Sequence, residues 1–248
     1  MFVQIEKSQQ QLVLDEKYVS PTSILSTHWL LYCLTQTKAF ACGRILDVGC
    51  GRKPYQAFFS HTDYTGIDWP NNLHNSRPEA YADARYIPFA AATFDTVVCT
   101  EVIEHLPEPA MALQNLARVL RPGGHLILSA PFVHVLHEAP FDFFRFTPIG
   151  LQHLVKGAGF EVVNTWTRGG ILSVLVSLWG RYLMGFLRRF LNRLPRRFES
   201  LFVTPLIRWP QRLAAYWLIN HRSWGGDLFD PSQSLSLGYV LVARRIAD

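Results

Sequence analysis

The chain has 248 residues, 49% of them hydrophobic and 17% charged, a balance that suits one globular domain, or one domain carrying an insertion, around a full apolar core. A disordered chain and a minimal disulfide scaffold are both excluded. The formal net charge of +5 is unevenly placed: from Arg168 to Arg222 ten arginines face a single acid, Glu199, whereas the first 167 residues are mildly acidic. A basic segment on an acidic body points to an anionic partner for that segment, phospholipid or nucleic acid. Cys33, Cys42, Cys50 and Cys99 sit in or beside apolar runs without metal-ligand spacing. They are expected to be reduced thiols of a cytosolic protein, with no zinc site, and no metal is expected elsewhere. The first twenty residues mix Glu6, Lys7, Asp15, Glu16 and Lys17 among apolar positions and contain no h-region, so no secretory signal is expected and the mature chain should start near Met1.

In chain order, Ser20-Pro21 reads as an N-cap followed by proline at the first helical position, opening a helix through Trp29, Leu30 and Leu34. Arg44-Ile45-Leu46-Asp47-Val48 is an apolar run ending in Gly49-Cys50-Gly51, the pattern of a buried strand leading into a tight loop, and the next helix is expected near Pro54. Tyr64 to Asp68 and Phe94 to Thr100 are further strands. Behind Pro109, Leu113, Leu116, Val119 and Leu120 recur at helical spacing, and the turn Arg121-Pro122-Gly123-Gly124 leads into a strand from His125 to Ala130. Thr147-Pro148 caps a helix whose apolar face is Leu151, Leu154, Val155 and Ala158, with Gly159 ending it. Phe160 to Trp166 and Gly238 to Ala243 complete the strands. Repeated β-α units of this length imply an α/β fold with a mostly parallel sheet and helices on both faces.

In such a sheet, ligands bind beyond the carboxyl ends of the strands. Asp47-Val48-Gly49-Cys50-Gly51 lies at the first strand end, where glycines let a ligand approach the backbone. Asp68 ends the second strand, placed to accept both hydroxyls of a ribose, and Asp83, followed by Ala84, is placed to meet an adenine. A glycine loop followed by an acid is shared by nicotinamide and S-adenosylmethionine (SAM) sites. A dinucleotide fingerprint needs glycine at position 54, where Pro54 stands, and Asp47 suits a cationic amino-acid tail better than a pyrophosphate.

Ile45-Leu46-Asp47-Val48-Gly49-Cys50-Gly51, Gly66-Ile67-Asp68, Phe94-Asp95-Thr96-Val97-Val98, Glu101-Val102-Ile103-Glu104-His105-Leu106 and Arg118-Val119-Leu120-Arg121-Pro122-Gly123-Gly124 resemble the successive motifs of class I SAM-dependent methyltransferases. The likeness is greatest to the type 11 group related to the ubiquinone and menaquinone methyltransferases. The resemblance covers roughly Ile45 to Trp166, with Gly238 to Arg244 as the final strand. It implies a Rossmann-like seven-stranded sheet with the last strand antiparallel, and SAM as cofactor. It further implies that Asp47, Gly49 and Gly51 hold the methionine portion, Asp68 the ribose, and Asp83 with Ala84 the adenine, with Cys50 and Glu101 counted among the cofactor-binding positions. The family's third loop glycine is replaced by Lys53.

A sulfonium methyl is already activated, so transfer mainly requires an aligned, desolvated nucleophile, and a general base only where the acceptor carries a proton of high pKa. Candidate groups follow the fourth and fifth strands: Glu101, Glu104 and His105 in one loop, and His134, His137, Glu138, Asp142 and Arg145 in the aromatic-rich segment Pro131 to Thr147. His137, His105 and Asp142 are the catalytic candidates. Beside these stand blander readings. Glu104-His105, opening a helix, would only satisfy backbone amides, alternation with Val133 and Val135 leaves His134 solvated, and Asp142 with Arg145 would form a loop-shaping i,i+3 ion pair. Cys50 and Cys99 read as packing residues rather than nucleophiles.

About seventy residues separate Trp166 from Gly238, too many for an ordinary connection, so they are expected to form a helical subdomain. The uncharged stretch before Arg181 is too short to span a bilayer. Ser173, Ser177, Arg181 and Arg188 follow one helical line, which leaves Leu172, Leu175, Leu178, Trp179, Leu183, Phe186 and Phe190 as an apolar face on a helix from Ile171 to Leu194, and a second helix carrying Trp209, Leu213, Trp217 and Leu218 is expected after Pro205. This pattern suits an interfacial helix at an anionic membrane, and equally a lid or a homodimer contact. With no recognition module visible, nucleic acid is not the expected partner. The expected organisation is an N-terminal helical cap over 1–43, a SAM-binding core over 44–167, a basic amphipathic helical insertion over 168–237 and the final strand over 238–248. The expected function is SAM-dependent methyl transfer to a small-molecule or lipid- or glycan-linked acceptor, in the cytoplasm or peripherally at a membrane. The alternative is a noncatalytic SAM- or nucleotide-binding scaffold.

Overall fold

A computed structural model describes residues 23–59, 63–70, 78–191, 204–220 and 235–247. Ser20-Pro21, Arg193, Arg196, Arg197, Glu199 and Arg222 lie outside the described residues. The chain divides into two compact units, Cys33–Trp166 with Gly238–Asp248, and Met1–Tyr32 with Thr167–Leu237.

The first unit is built on a seven-stranded sheet. In chain order its strands are β1 (Arg44–Val48), β2 (Asp63–Asp68), β3 (Ala80–Tyr81), β4 (Phe94–Thr100), β5 (Leu120–Pro131), β6 (Phe160–Thr167) and β7 (Gly238–Arg245), arranged β3-β2-β1-β4-β5-β7-β6. The pairs β1–β2, β1–β4, β2–β3 and β4–β5 are parallel, and β7 enters antiparallel beside β5. Val97, Val98, Leu126 and Ile127 are fully buried at successive positions, as befits central strands covered on both faces. Leu46, Ile67, Val97 and Leu126 share one core with Leu113 and Leu116 and with Leu151 and Val155. These come from two helices, Pro109–Val119 and Pro148–Gly157. Thr147 caps the latter by accepting from the Gly150 amide at 3.0 Å. Strand order reverses beside β1, so the carboxyl ends of β1, β2, β4 and β5 surround the switch point where ligands bind in this architecture.

Two local expectations are corrected. No α-helix follows Pro54 among the described residues; a single 3-10 turn, Gln56–Phe59, buries Phe58 and Phe59. Lys53 is in the left-handed region at φ 57°, so regular backbone starts only at Gln56, and β2 resumes at Asp63. The expected turn Arg121-Pro122-Gly123-Gly124 is instead an irregular stretch inside β5, where the pairing with β4 shifts register between Phe94 and Thr96. The backbone reaches φ 80° at Gly123, and a Cβ on Gly124 would lie 2.8 Å from the Asp95 carbonyl, so close strand approach requires glycine there.

We number the helices α1 (Ile24–Thr37), α2 (Pro109–Val119), α3 (Pro148–Gly157), α4 (Ile171–Leu191) and α5 (Thr204–Asn220). In the second unit, the small residues of α4 point inward. Ser173 accepts from the Trp29 indole N–H at 2.8 Å, Ser177 is buried, and a Cβ on Gly180 would lie 2.3 Å from Gln211 Nε2 of α5. Ser173 and Ser177 of the polar line therefore lie in the packed face of the helix. Close helix packing takes the small side chains, and Leu175, Trp179, Tyr182 and Phe186 are left exposed at spacings of four, three and four residues. On α5, Leu206, Trp209, Leu213, Tyr216 and Trp217 are also exposed. No described helix is long and apolar enough to cross a membrane.

Candidate functional site

At the end of β1, Asp47 is buried and its Oδ2 accepts a hydrogen bond from the Tyr64 hydroxyl of β2. Its Oδ1 has no hydrogen-bond partner among the described residues. Burial pushes the Asp47 carboxyl up to about 7 against the opposing Tyr64 hydrogen bond, with further upward pressure from Asp68. Burial and the adjoining Asp47 in turn push the Tyr64 phenol up. Nothing in the sequence pattern singled out Tyr64; its place opposite Ile45 in the β1–β2 register brings its hydroxyl under the loop.

The loop itself turns through left-handed backbone at Gly49 (φ 70°) and Gly51 (φ 52°), as glycine permits. A Cβ on Gly49 would lie 2.3 Å from Val102 Cγ2, whereas a Cβ on Gly51 would meet nothing within 4 Å. Gly51 therefore fronts open space. The amides of Gly49 and Cys50 both donate to the Ile67 carbonyl, at 2.9 and 3.0 Å. The Gly51 amide donates to Asp68 Oδ2 at 3.1 Å, and the Trp69 amide to Asp68 Oδ1 at 2.8 Å. Each carboxylate oxygen retains further acceptor capacity. Lys53 replaces a glycine yet keeps a glycine-like backbone, at roughly 1–2 kcal/mol of strain. Its ammonium pairs with Glu79, whose other oxygen accepts from the Gly66 amide at 2.6 Å.

Asp83 sits beyond β3 with its carboxylate gripped by Arg85, whose Nη2 and Nε lie 2.7 and 3.0 Å from its two oxygens. The Arg85 hydrogen bonds hold that carboxyl below the usual range, and Ala84 beside it is buried in the core. Much of the Asp83 acceptor capacity is thus already engaged.

Beyond β4, Glu101 takes up left-handed backbone (φ 55°) and is held by Ser129, which receives its amide at 3.1 Å and donates to its Oε1 at 2.8 Å. Such strain persists where the surroundings fix it, often at functional sites. Glu104 and His105 lie on a 3-10 turn, Ile103–His105, before α2 rather than at the opening of a helix. Glu104 is fully buried, and its carbonyl accepts the Phe143 and Phe144 amides at 2.9 and 3.2 Å. His105 Nδ1 donates to the Phe141 carbonyl at 2.7 Å, which leaves Nε2 as the basic nitrogen. That nitrogen lies 3.7 Å from Glu104 Oε1 and 3.9 Å from Glu138 Oε2.

The loop after β5 brings His137 beside His105, with ring centroids 4.8 Å apart, and His134 beside His137 at 4.7 Å. The expectation of a merely solvated His134 is corrected by this edge-to-face contact: the loop folds back instead of continuing the strand's alternation. Under the rings, Asp142 accepts two bonds from Arg145, at 2.6 and 2.7 Å, and the His137 amide at 2.9 Å. Hydrogen bonding to Arg145 holds the Asp142 carboxyl well below its ordinary value and raises the guanidinium pKa in return. Asp142 Oδ2 also lies 3.2 Å from His137 Nδ1. Trp69, next to Asp68, meets Phe141 edge to face at 5.0 Å, so an aromatic pair joins the loop after β2 to the loop after β5. Sequence reasoning passed over Trp69, although its place directly after the strand-end acid was a signal.

The carboxyl end of the sheet thus gathers an open glycine loop, a strand-end carboxylate, a buried carboxylate oxygen without a partner among the described residues and a histidine cluster. These features fit a ligand with a ribose and a cationic amino-acid tail. Residues 46–128 match the family described as a methyltransferase domain. The chain is 32% identical over 127 residues to a ubiquinone biosynthesis O-methyltransferase of Alkalilimnicola ehrlichii, covering 46% of this chain and 49% of that protein. It is 34% identical over 147 residues to an O-methyltransferase of Aspergillus nomiae, covering 49% and 65%. The chain spans about half the length of several curated relatives it matches. Among solved structures, the cyclase SpnF superposes with a TM-score of 0.54 at 18% identity, covering 88% of this chain and 82% of that one. Phosphoethanolamine N-methyltransferase 2 of Haemonchus contortus, in complex with phosphomonomethylethanolamine and S-adenosylhomocysteine, superposes with a TM-score of 0.50 at 15% identity, covering 94% and 59%. At such identities the superpositions show a shared fold. Motif order, sheet topology and the match over residues 46–128 agree on a methyltransferase domain within this chain.

Proposed function

We propose that this chain transfers a methyl group from SAM to a hydroxyl of a small-molecule or lipid- or glycan-linked acceptor. The observation that carries this reading is the juxtaposition, at the carboxyl end of the sheet, of the Asp68-pinned glycine loop and the His105–His137 pair. When bound, SAM supplies an activated sulfonium methyl; binding, alignment and proton handling fall to the chain. Asp68 holds the ribose, Asp47 with Gly49, Cys50 and Gly51 the amino-acid end, and Asp83 with Ala84 the adenine end, while Glu101 closes the near wall. His105 Nε2 takes the acceptor proton, His137 stands against its ring, and Asp142 is a positioning residue that fixes His137. The O-methyltransferase names of the curated relatives support a hydroxyl acceptor, for which a base is required.

Labelled methyl from SAM, followed into lipid and aqueous fractions of cell extract, tests this directly. His105→Ala is expected to lower transfer at least about 100-fold, and His137→Ala to lower it as well, while SAM affinity stays within about twofold. Full transfer by both variants would remove the histidines from the mechanism. Retained SAM binding with no transfer in any fraction would make the protein a noncatalytic SAM-binding scaffold.

If Asp47 meets the cationic end of SAM as a carboxylate, binding must draw off its proton whenever the pH lies below about 7. Calorimetric SAM affinity should therefore fall as the pH drops from 7, approaching about tenfold per pH unit, and fall again above about 8 as the ligand's own α-amino group loses its charge. Asp47→Asn should abolish the acid limb only. An unchanged acid limb in that variant would place the titrating group elsewhere.

The chain further associates peripherally with anionic membrane. Support comes from the exposed Leu175, Trp179, Tyr182 and Phe186 of α4 and Trp209, Leu213 and Tyr216 of α5, accompanied by the exposed Arg189 and Arg212. An apolar stripe with aromatic anchors and arginine is the composition of an interfacial helix, and each arginine near an anionic surface contributes about 1 kcal/mol. Sedimentation with anionic vesicles should show binding that high salt weakens. Arg189→Glu with Arg212→Glu, or Trp179→Ser with Trp209→Ser, should release the protein without loss of SAM binding. Failure to bind vesicles, with scattering that reveals a dimer split by these substitutions, would identify the surface as a subunit contact instead.

A further inference from the structure

We propose that Glu104, His105 and His137 form a binding site for one divalent transition-metal ion of the zinc class. One ligand atom from each of the three residues lies within 4.8 Å of the others, and His105 Nε2 is already 3.7 Å from Glu104 Oε1. Zinc bonds of about 2.0–2.2 Å in tetrahedral geometry bring ligand atoms to roughly 3.3–3.5 Å, so a small rotation of the two half-buried rings closes the set.

The orientation of the imidazoles is the second observation. Histidine that ligates through one nitrogen is characteristically held at the other by a carbonyl or carboxylate, which fixes the tautomer and aims the lone pair. Both rings meet this condition. His105 Nδ1 donates to the Phe141 carbonyl at 2.7 Å. His137 Nδ1 faces Asp142 Oδ2 at 3.2 Å and the Val135 carbonyl at 3.3 Å, with the Arg145 Nη2 donor farther off at 3.4 Å, and the two nearer acceptors favour the proton on Nδ1. Asp142 is in turn clamped by Arg145. Nε2 is the nitrogen left on each ring for a ligand. The supporting backbone is stitched together, because the Glu104 carbonyl accepts the Phe143 and Phe144 amides from the loop that carries Asp142.

Two imidazoles and one carboxylate form a donor set suited to zinc, iron(II) or manganese rather than magnesium, which prefers all-oxygen coordination. Three protein ligands leave a position open for an exogenous oxygen. Glu138 Oε2 lies 3.9 Å from His105 Nε2. The site's role rests on the methyl-transfer reading. With an ion bound, the imidazoles act on the acceptor through the metal instead of taking its proton. The acceptor O–H bond breaks with its proton passing to Glu138, the oxygen lone pair forms the new O–C bond, and the C–S bond breaks with its electron pair kept by sulfur.

The test is metal binding by the full chain, stripped with chelator and titrated with cobalt(II) as a spectroscopic probe and with zinc by calorimetry. One equivalent should bind, with cobalt d–d absorption that zinc abolishes. His105→Gln, His137→Gln and Glu104→Gln should each weaken zinc binding at least about tenfold, while His153→Ala and Cys42→Ser should not. X-ray absorption of the zinc-loaded wild type should show imidazole and oxygen ligands even if a variant fails to fold. Sulfur ligation, affinity indifferent to the three substitutions, or no stoichiometric binding by folded protein would overturn the site. SAM calorimetry on the same samples separates the two claims. SAM binding without metal would refute the metal site alone, and metal binding without SAM would refute the cofactor reading alone.

Discussion

The site depends on the Asp68 carboxylate at the end of β2. By accepting the Gly51 and Trp69 amides, 3.1 and 2.8 Å away, it ties the loop after β1 to its own strand end and fixes the amides that a short polar loop would otherwise leave unsatisfied. The left-handed residues Gly49, Gly51 and Lys53 follow from that closure. At Lys53 the strain is offset by the Glu79 ion pair and by the Glu79 bond to Gly66. A residue that looks like a broken motif thus preserves the backbone path of the glycine it replaces.

A second constraint shapes the opposite wall. The Asp142–Arg145 pair lies at the centre of the loop after β5, with Arg145 also donating to the Val135 carbonyl at 2.9 Å and the Phe144 carbonyl at 2.8 Å. Because a paired, hydrogen-bonded carboxylate tolerates burial, Asp142 can sit beneath His137 and hold its ring. Removing either partner would leave a charge at the base of the loop, so the histidine cluster and the aromatic rim at Trp69 and Phe141 depend on one ion pair.

Much of the fold was legible because it is written in local pattern. β1 and β4 follow their apolar runs residue for residue, and Thr147-Pro148 caps α3 as its chemistry dictates. Asp68 was legible because a strand-end acid after a glycine loop has few other uses. The missing helix after Pro54 was not, since it turns on the backbone conformation of a lysine. Nor was the grouping of Glu104, His105 and His137, whose ligands are brought together from two loops by strand pairing rather than by spacing. On α4 the two faces were legible but not which of them packs, since helical periodicity does not tell, and close packing around Gly180 takes the small polar face. The bland reading of Asp142 and Arg145 as a loop-shaping ion pair describes their contacts well, and that same pair positions His137.

Whether the Asp68-pinned loop recognises SAM is measured most directly by calorimetry of the full chain against SAM, S-adenosylhomocysteine and NAD. Both sulfur ligands should bind and NAD should not. Asp68→Ala should weaken both by about 2–3 kcal/mol through loss of hydrogen bonds to a charged acceptor. Binding of NAD without SAM, or SAM affinity indifferent to Asp68→Ala in a folded protein, would contradict that recognition.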